Sequence, residues 1–229
     1  MNRRTFLKSA GAASVAAATA AVALPNLIGD QSDSVIWPFS APVLDQGKIG
    51  SCTGNAVTQW SNTDYARAIT KRTAYLTEAD AVQVYDLATQ LDGIPGEAPT
   101  EDTGSTGDAA CDAAVQLGWL SGYRNIKPGV NSIIAALRQQ PLIVGSTWLS
   151  GMFNTDANGL VLVNGDVAGG HEYVILGFDS AAGTFLCLNS WSDQWGLKGR
   201  FHVKFADLIR LIEGDSADSA VTAPIAREP

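Results

Sequence analysis

Histidine is scarce: only His171 and His202 occur in 229 residues, beside three widely spaced cysteines, Cys52, Cys111 and Cys187. With no Cys-x-x-Cys and so few imidazoles, a structural zinc site is not expected, nor any other metal or cofactor. Basic residues are also few, 15 against 23 acidic ones, giving a formal net charge of −8. An acidic body is a poor match for nucleic acid or an anionic membrane, so neither is expected as a partner. After residue 23 there is no run of about 18 apolar residues, and no further membrane span is expected. Internal repeats and low-complexity tracts do not occur beyond the amino-terminal Ala-rich stretch. The chain is nonetheless 46% apolar, enough for a sizeable core in one large domain or in two small lobes around a shared cleft.

The first residues form a separate segment. Asn2-Arg3-Arg4-Thr5-Phe6-Leu7-Lys8 is a basic head with twin arginines, followed by an uncharged Ala-rich stretch and by Ala21-Val22-Ala23, a small-x-small cleavage pattern. This resembles a bacterial twin-arginine export signal over residues 1–23. It implies an exported protein, periplasmic or extracellular, with no membrane attachment once the signal is cleaved. The alternative is a helix retained as an anchor, which the weakly apolar composition and Pro25 disfavour.

From about residue 44 the pattern is helical, and later it becomes strand-like. A helix is expected from Cys52, with Ala56, Val57 and Trp60 on one face and Asn55, Gln59 and Asn62 mostly on another. A second is expected over Thr77–Leu91, capped by Thr77, a third over Asp108–Leu117 ending at Gly118, and a short one over Val130–Arg138 closed by Pro141. Residues 92–107, rich in Gly, Pro, Thr and acids, read as a long exposed loop. Strands are expected at Leu142–Gly145, Leu160–Val163, Glu172–Gly177, Thr184–Leu188 and Arg200–Phe205, with a last one within Ser219–Ile225. Residues 24–43 read as an extended lead-in anchored by Trp37 and Phe39, too short for a folded inhibitory pro-region. Helices first and strands second predict an α+β fold, with a helical lobe over about 44–122, a β lobe over about 123–225 and a cleft between them.

Chemistry is concentrated around Cys52. Gly47, Gly50 and Gly54 allow tight turns and close approach of a ligand, and Cys52 falls in the first turn of a helix, where unpaired N–H groups and the dipole favour a thiolate. Cys111 and Cys187 read as buried free thiols, with a pairing between them in an oxidising compartment as the alternative. A cysteine nucleophile needs a base. His171 follows Gly169-Gly170 and opens a strand, where a side chain can project into a cleft; His202 alternates with Phe201, Val203 and Phe205 and reads as solvated. Asn189, after the strand carrying Cys187, can accept the imidazole N–H, and Trp191 can cover that hydrogen bond. Gln46 supplies a neutral donor that, with the Cys52 backbone N–H, can form an oxyanion hole.

The order Asp45-Gln46-Gly47, Gly50-Ser51-Cys52, Gly169-Gly170-His171, Asn189-Ser190-Trp191 and Trp195-Gly196 resembles the papain family of cysteine peptidases, in its bacterial branch, from about Pro42 to Phe205. The resemblance implies a papain-like two-lobe fold with an antiparallel β-barrel-like carboxy-terminal lobe. It implies Cys52, His171, Asn189 and Gln46 as catalytic residues, and a peptide or protein substrate lying extended across the cleft of a monomer. Thr53-Gly54-Asn55 stands where plant and animal members carry a bulky aromatic, and Glu172 where many relatives have a small apolar residue. One alternative is the same machinery acting on peptidoglycan peptides or as an amidase or acyltransferase. Another is a catalytically silent peptide-binding protein. A His-Glu metalloprotease pattern fails, because Ile175 occupies the second ligand position.

Overall fold

The structure is a computed structural model that describes residues 34–213 and 220–229. The twin-arginine segment expected over residues 1–23 lies outside the described residues. Six α-helices are described, α1 (Cys52–Ser61), α2 (Asp64–Thr70), α3 (Glu78–Leu91), α4 (Gly107–Gln116), α5 (Val130–Leu137) and α6 (Phe205–Ile212), with a short 3-10 helix at Ser150–Phe153. The strands are β1 (Ser34–Ile36), β2 (Leu120–Ile126), β3 (Leu142–Leu149), β4 (Val167–Asp179), β5 (Thr184–Leu188), β6 (Arg200–Lys204) and β7 (Val221–Ala226). All seven strands join one antiparallel sheet in the order β2-β7-β3-β4-β5-β6, with β1 beside the far end of β4. The α+β expectation holds. The path is open, however: β2 and β6 are its two ends and do not pair, so these strands do not form the expected barrel-like closure.

The sheet separates two cores. Leu142, Val144, Tyr173, Ile175, Phe185, Cys187, Phe201 and Val203 pack with α5 and α6 on one side. Ile143, Val174, Leu176 and Leu188 pack with α1, α3 and α4 on the other. Adjacent residues of β3 and β4 thus enter opposite cores, which is why both strands read as continuous apolar runs rather than alternating ones. Such a strand contributes to both layers at once.

Helix α1 lies within this packing. Every residue from Thr53 to Ser61 is buried, so the predicted polar face is not a solvated one. Two of its amides bond inside the protein, Asn55 Nδ2 donating to Glu78 Oε1 at 3.0 Å and Gln59 Nε2 to the Asn189 carbonyl at 3.3 Å, while the buried Thr53, Thr58 and Ser61 hydroxyls have no partner. The Trp60 indole N–H donates to the Pro141 carbonyl at 2.8 Å. Truncating a fully buried aromatic of this kind costs about 3–5 kcal/mol, which fixes α1 firmly behind Cys52. Gly54 permits that packing, because a Cβ there would overlap the Ala81 carbonyl of α3. Close approach at this position is therefore to a neighbouring helix and not to a ligand.

Several expectations are corrected. Residues 160–163 make only isolated bridges, Leu160 with His202 and Val161 with Thr155, and no strand. The run is apolar enough for a strand, but it meets β6 only at His202, as a loop. Helix α2 was not anticipated; Thr63 caps it by accepting the Ala66 N–H at 3.2 Å. Strand β2 was missed because its polar residues Ser121, Arg124 and Asn125 suit an edge strand, bonded only to β7. Helix α6 follows β6 with no intervening turn residue, yet buries Leu208, Leu211 and Ile212 at helical spacing. The helices expected at Thr77–Leu91, Asp108–Leu117 and Val130–Arg138 are present to within a residue or two at each end.

Candidate active site

The segment before α1 is tied to the loop after β5 by backbone pairing. Asp45 bridges Trp191, the Gln46 N–H donates to the Ser190 carbonyl at 3.0 Å, and the Ser192 N–H donates to the Leu44 carbonyl at 3.0 Å. The side chains continue the connection, with Ser190 Oγ donating to Gln46 Oε1 at 2.6 Å. Gln46 Nε2 donates to the Ile49 carbonyl at 3.0 Å, leaving its second hydrogen for another acceptor. Cys52 is the first residue of α1 and half-buried. Cys111 and Cys187 are free and fully buried, and burial pushes both thiols well up, so neither is a candidate nucleophile.

His171 lies inside β4, opposite Ser146, and is only 7% exposed. The strand begins five residues earlier than expected, because Gly169 and Gly170 continue it in place of a turn. His171 Nε2 is 2.7 Å from Asn189 Oδ1, which also accepts the Ser190 N–H at 2.8 Å. A flipped amide would set Asn189 Nδ2 against that N–H, donor against donor. The imidazole therefore donates from Nε2, and in the neutral ring Nδ1 is the basic nitrogen. Trp191 stacks on the imidazole with centroids 4.9 Å apart, and Trp148 meets it edge-on at 4.8 Å. This cover removes water: burial pushes the His171 pKa down to about 4, with the Asn189 hydrogen bond acting weakly the other way.

A cavity of about 80 Å³ opens beside His171, lined by Trp148, Phe153, Gly169, Gly170 and Trp191. A larger one, about 240 Å³, lies against Arg72, Trp119 and Arg227 and contains none of the four candidate residues. His202 is part-exposed on β6 between the buried Phe201 and Val203, as its alternation implied. Glu172 is buried, and its carboxylate occupies the space a side chain at Gly107, the start of α4, would need. Among the described residues no three His, Cys, Asp or Glu side chains are grouped closely enough to hold a metal ion. No helix there is long and apolar enough to cross a membrane.

The structure thus joins His171, Asn189 and Gln46 through Ser190, and sets Cys52 six residues after Gln46 at the start of a buried helix. The chain shares its fold with a cysteine protease. That structure is xylellain from Xylella fastidiosa, matched with a TM-score of 0.66 over 84% of this chain and 85% of that one, at 17% identity. No protein-family model matches the sequence, and no curated protein does. Two residues that sequence reasoning did not single out enter the network: Ser190, legible only as part of Asn189-Ser190-Trp191, and Asp102, which no local signal marked within its loop. Asp102 Oδ1 and Oδ2 accept the Gly50 N–H at 3.1 and 2.9 Å, and Tyr85 Oη donates to Oδ1 at 2.5 Å.

Proposed function

We propose that the chain is a papain-like cysteine peptidase that hydrolyses peptide bonds through a thioester on Cys52. The observation that carries this reading is the Ser190 N–H fixing Asn189 Oδ1, which in turn fixes the His171 tautomer. Neutral His171 takes the Cys52 thiol proton on Nδ1 as sulfur attacks the scissile carbonyl carbon. The resulting oxyanion accepts from the Cys52 backbone N–H and from the second Gln46 Nε2 hydrogen. Collapse expels the amine, which leaves with the proton from His171, and the acyl group remains on sulfur. His171 then deprotonates a water that attacks the thioester, and the second collapse returns the acid and the thiol. Trp191 and Trp148 keep bulk water from the imidazole throughout.

The two cores meeting at the sheet support the two-lobed division, with the helical lobe carrying Gln46 and Cys52 and the β lobe carrying His171 and Asn189. The twin-arginine head supports an exported enzyme. The test uses a short peptide ester, whose acylation outruns deacylation. Acid-quenched wild-type protein is expected to carry one acyl mass on the Cys52 peptide and none on Cys111 or Cys187. An adduct elsewhere would contradict the reading. Turnover of a glutamine side-chain amide or a cell-wall stem peptide with no peptide-bond cleavage would keep the chemistry and change the acyl donor.

A further inference from the structure

We propose that Asp102 is a positioning residue for the oxyanion hole, acting through the Ile49–Gly50 peptide unit; this rests on the peptidase reading above. One peptide plane carries both the Ile49 carbonyl and the Gly50 N–H, pointing in opposite directions. The carbonyl accepts from Gln46 Nε2 at 3.0 Å, and the N–H is held by both Asp102 oxygens. Rotation of this plane therefore moves the acceptor that aims the Gln46 amide. Asp102 prevents that rotation from a point 52 residues along the chain.

The carboxylate is itself fixed. Tyr85, buried on α3, donates to Asp102 Oδ1, and its oxygen accepts the Gly104 N–H at 3.0 Å. Burial and the Asp102 carboxylate push the Tyr85 phenol up, so it remains a donor across the working pH range, and a thiolate at Cys52 lies near enough to push it the same way. A Cβ at Gly50 would lie 2.6 Å from Asp102 Oδ1, so a side chain there would displace the carboxylate. Ser190 holds the other end of the same amide through Gln46 Oε1. Gln46 is thus fixed at both ends, one by the loop after β5 and one by the loop between α3 and α4. The second fixing point gives Asp102, within that loop, a part in holding Gln46.

Because Asp102 is exposed, its effect is one of geometry rather than of charge. The test compares Asp102→Ala with Asp102→Asn, whose amide oxygen still accepts the Gly50 N–H. Two thiol reagents separate the roles: iodoacetamide alkylates Cys52 without forming an oxyanion, whereas a peptidyl aldehyde forms a tetrahedral adduct that needs one. Asp102→Ala is expected to lower kcat and aldehyde affinity about tenfold or more, with KM and alkylation rate little changed and Asp102→Asn near wild type. Equal losses in alkylation and hydrolysis would mean a merely structural role, and unchanged hydrolysis would overturn the clamp outright. Should Asp102→Ala not fold, Tyr85→Phe is expected to lose kcat and aldehyde affinity together at constant alkylation, and a wild-type profile there would overturn the clamp. A wild-type protein inert to both peptide and aldehyde would instead overturn the peptidase reading, and the clamp with it.

Discussion

Replacing His171 by glutamine is expected to lower kcat/KM for a peptide by about 1000-fold or more, because in the proposed mechanism the side chain is both the base that takes the thiol proton and the acid that releases the amine. Glutamine can occupy the space and still meet Asn189 Oδ1, so the loss reads the proton transfer rather than collapse of the site. The same variant tests the lowered imidazole pKa. With a folded pKa of about 4 against an ordinary 6.5, both states of the protein hold neutral imidazole above pH 6.5. Between 6.5 and 4 only the unfolded chain binds the proton, so wild-type stability falls as pH falls; below 4 both states bind it and the loss stops. The window corresponds to roughly 3 kcal/mol. Denaturant midpoints at pH 7 and pH 4 should therefore fall further in wild type than in His171→Gln, whose carboxylates still titrate. Equal falls would mean that folding does not lower the His171 pKa.

The second large effect is expected at Gln46. In the proposed mechanism its Nε2 is one of two donors to the developing oxyanion, and loss of such a donor costs about 100- to 1000-fold in kcat, or about 2.7–4 kcal/mol. Gln46→Ala should therefore depress kcat strongly while leaving KM within a few-fold, since the interaction strengthens only in the transition state. Steady-state kinetics on one peptide substrate make the separation. A rise in KM with kcat preserved would place Gln46 in ground-state binding and remove it from the oxyanion hole. Alkylation of Cys52 by iodoacetamide should stay near wild type, because that displacement builds no oxyanion. The deep burial of Cys111 and Cys187 keeps the measurement specific to one thiol.

How much of this could be read from residues alone depended on whether the signal was local. Helix α3 was legible because Thr77 stands at its cap, where Asp80 Oδ2 accepts both the Thr77 N–H and its hydroxyl at 2.7 Å, a pattern contained within four residues. Strand β5 was legible because Thr184–Leu188 is a short apolar run with turn residues before it. The Asn189–His171 pair was legible as chemistry, since a base beside a cysteine nucleophile needs an orienting acceptor. The extent of β4 was not, because Gly169 and Gly170 signal a turn in isolation and are held extended only by pairing with Thr147 and Trp148. Helix α6 was hidden by the strand running straight into it. The Asp102 clamp was beyond reach for the same reason: its partners are 17 and 52 residues away, and nothing near Asp102 records them.

The account depends most on the sulfur of Cys52, and removing it is the most direct test. Casein cleavage by wild-type and Cys52→Ala protein, each purified without residues 1–23, measures this with no assumption about specificity. The account predicts steady release of peptides by wild type and, for the variant, a rate at least about 1000-fold lower. Cleavage by Cys52→Ala at a rate comparable to wild type would contradict it.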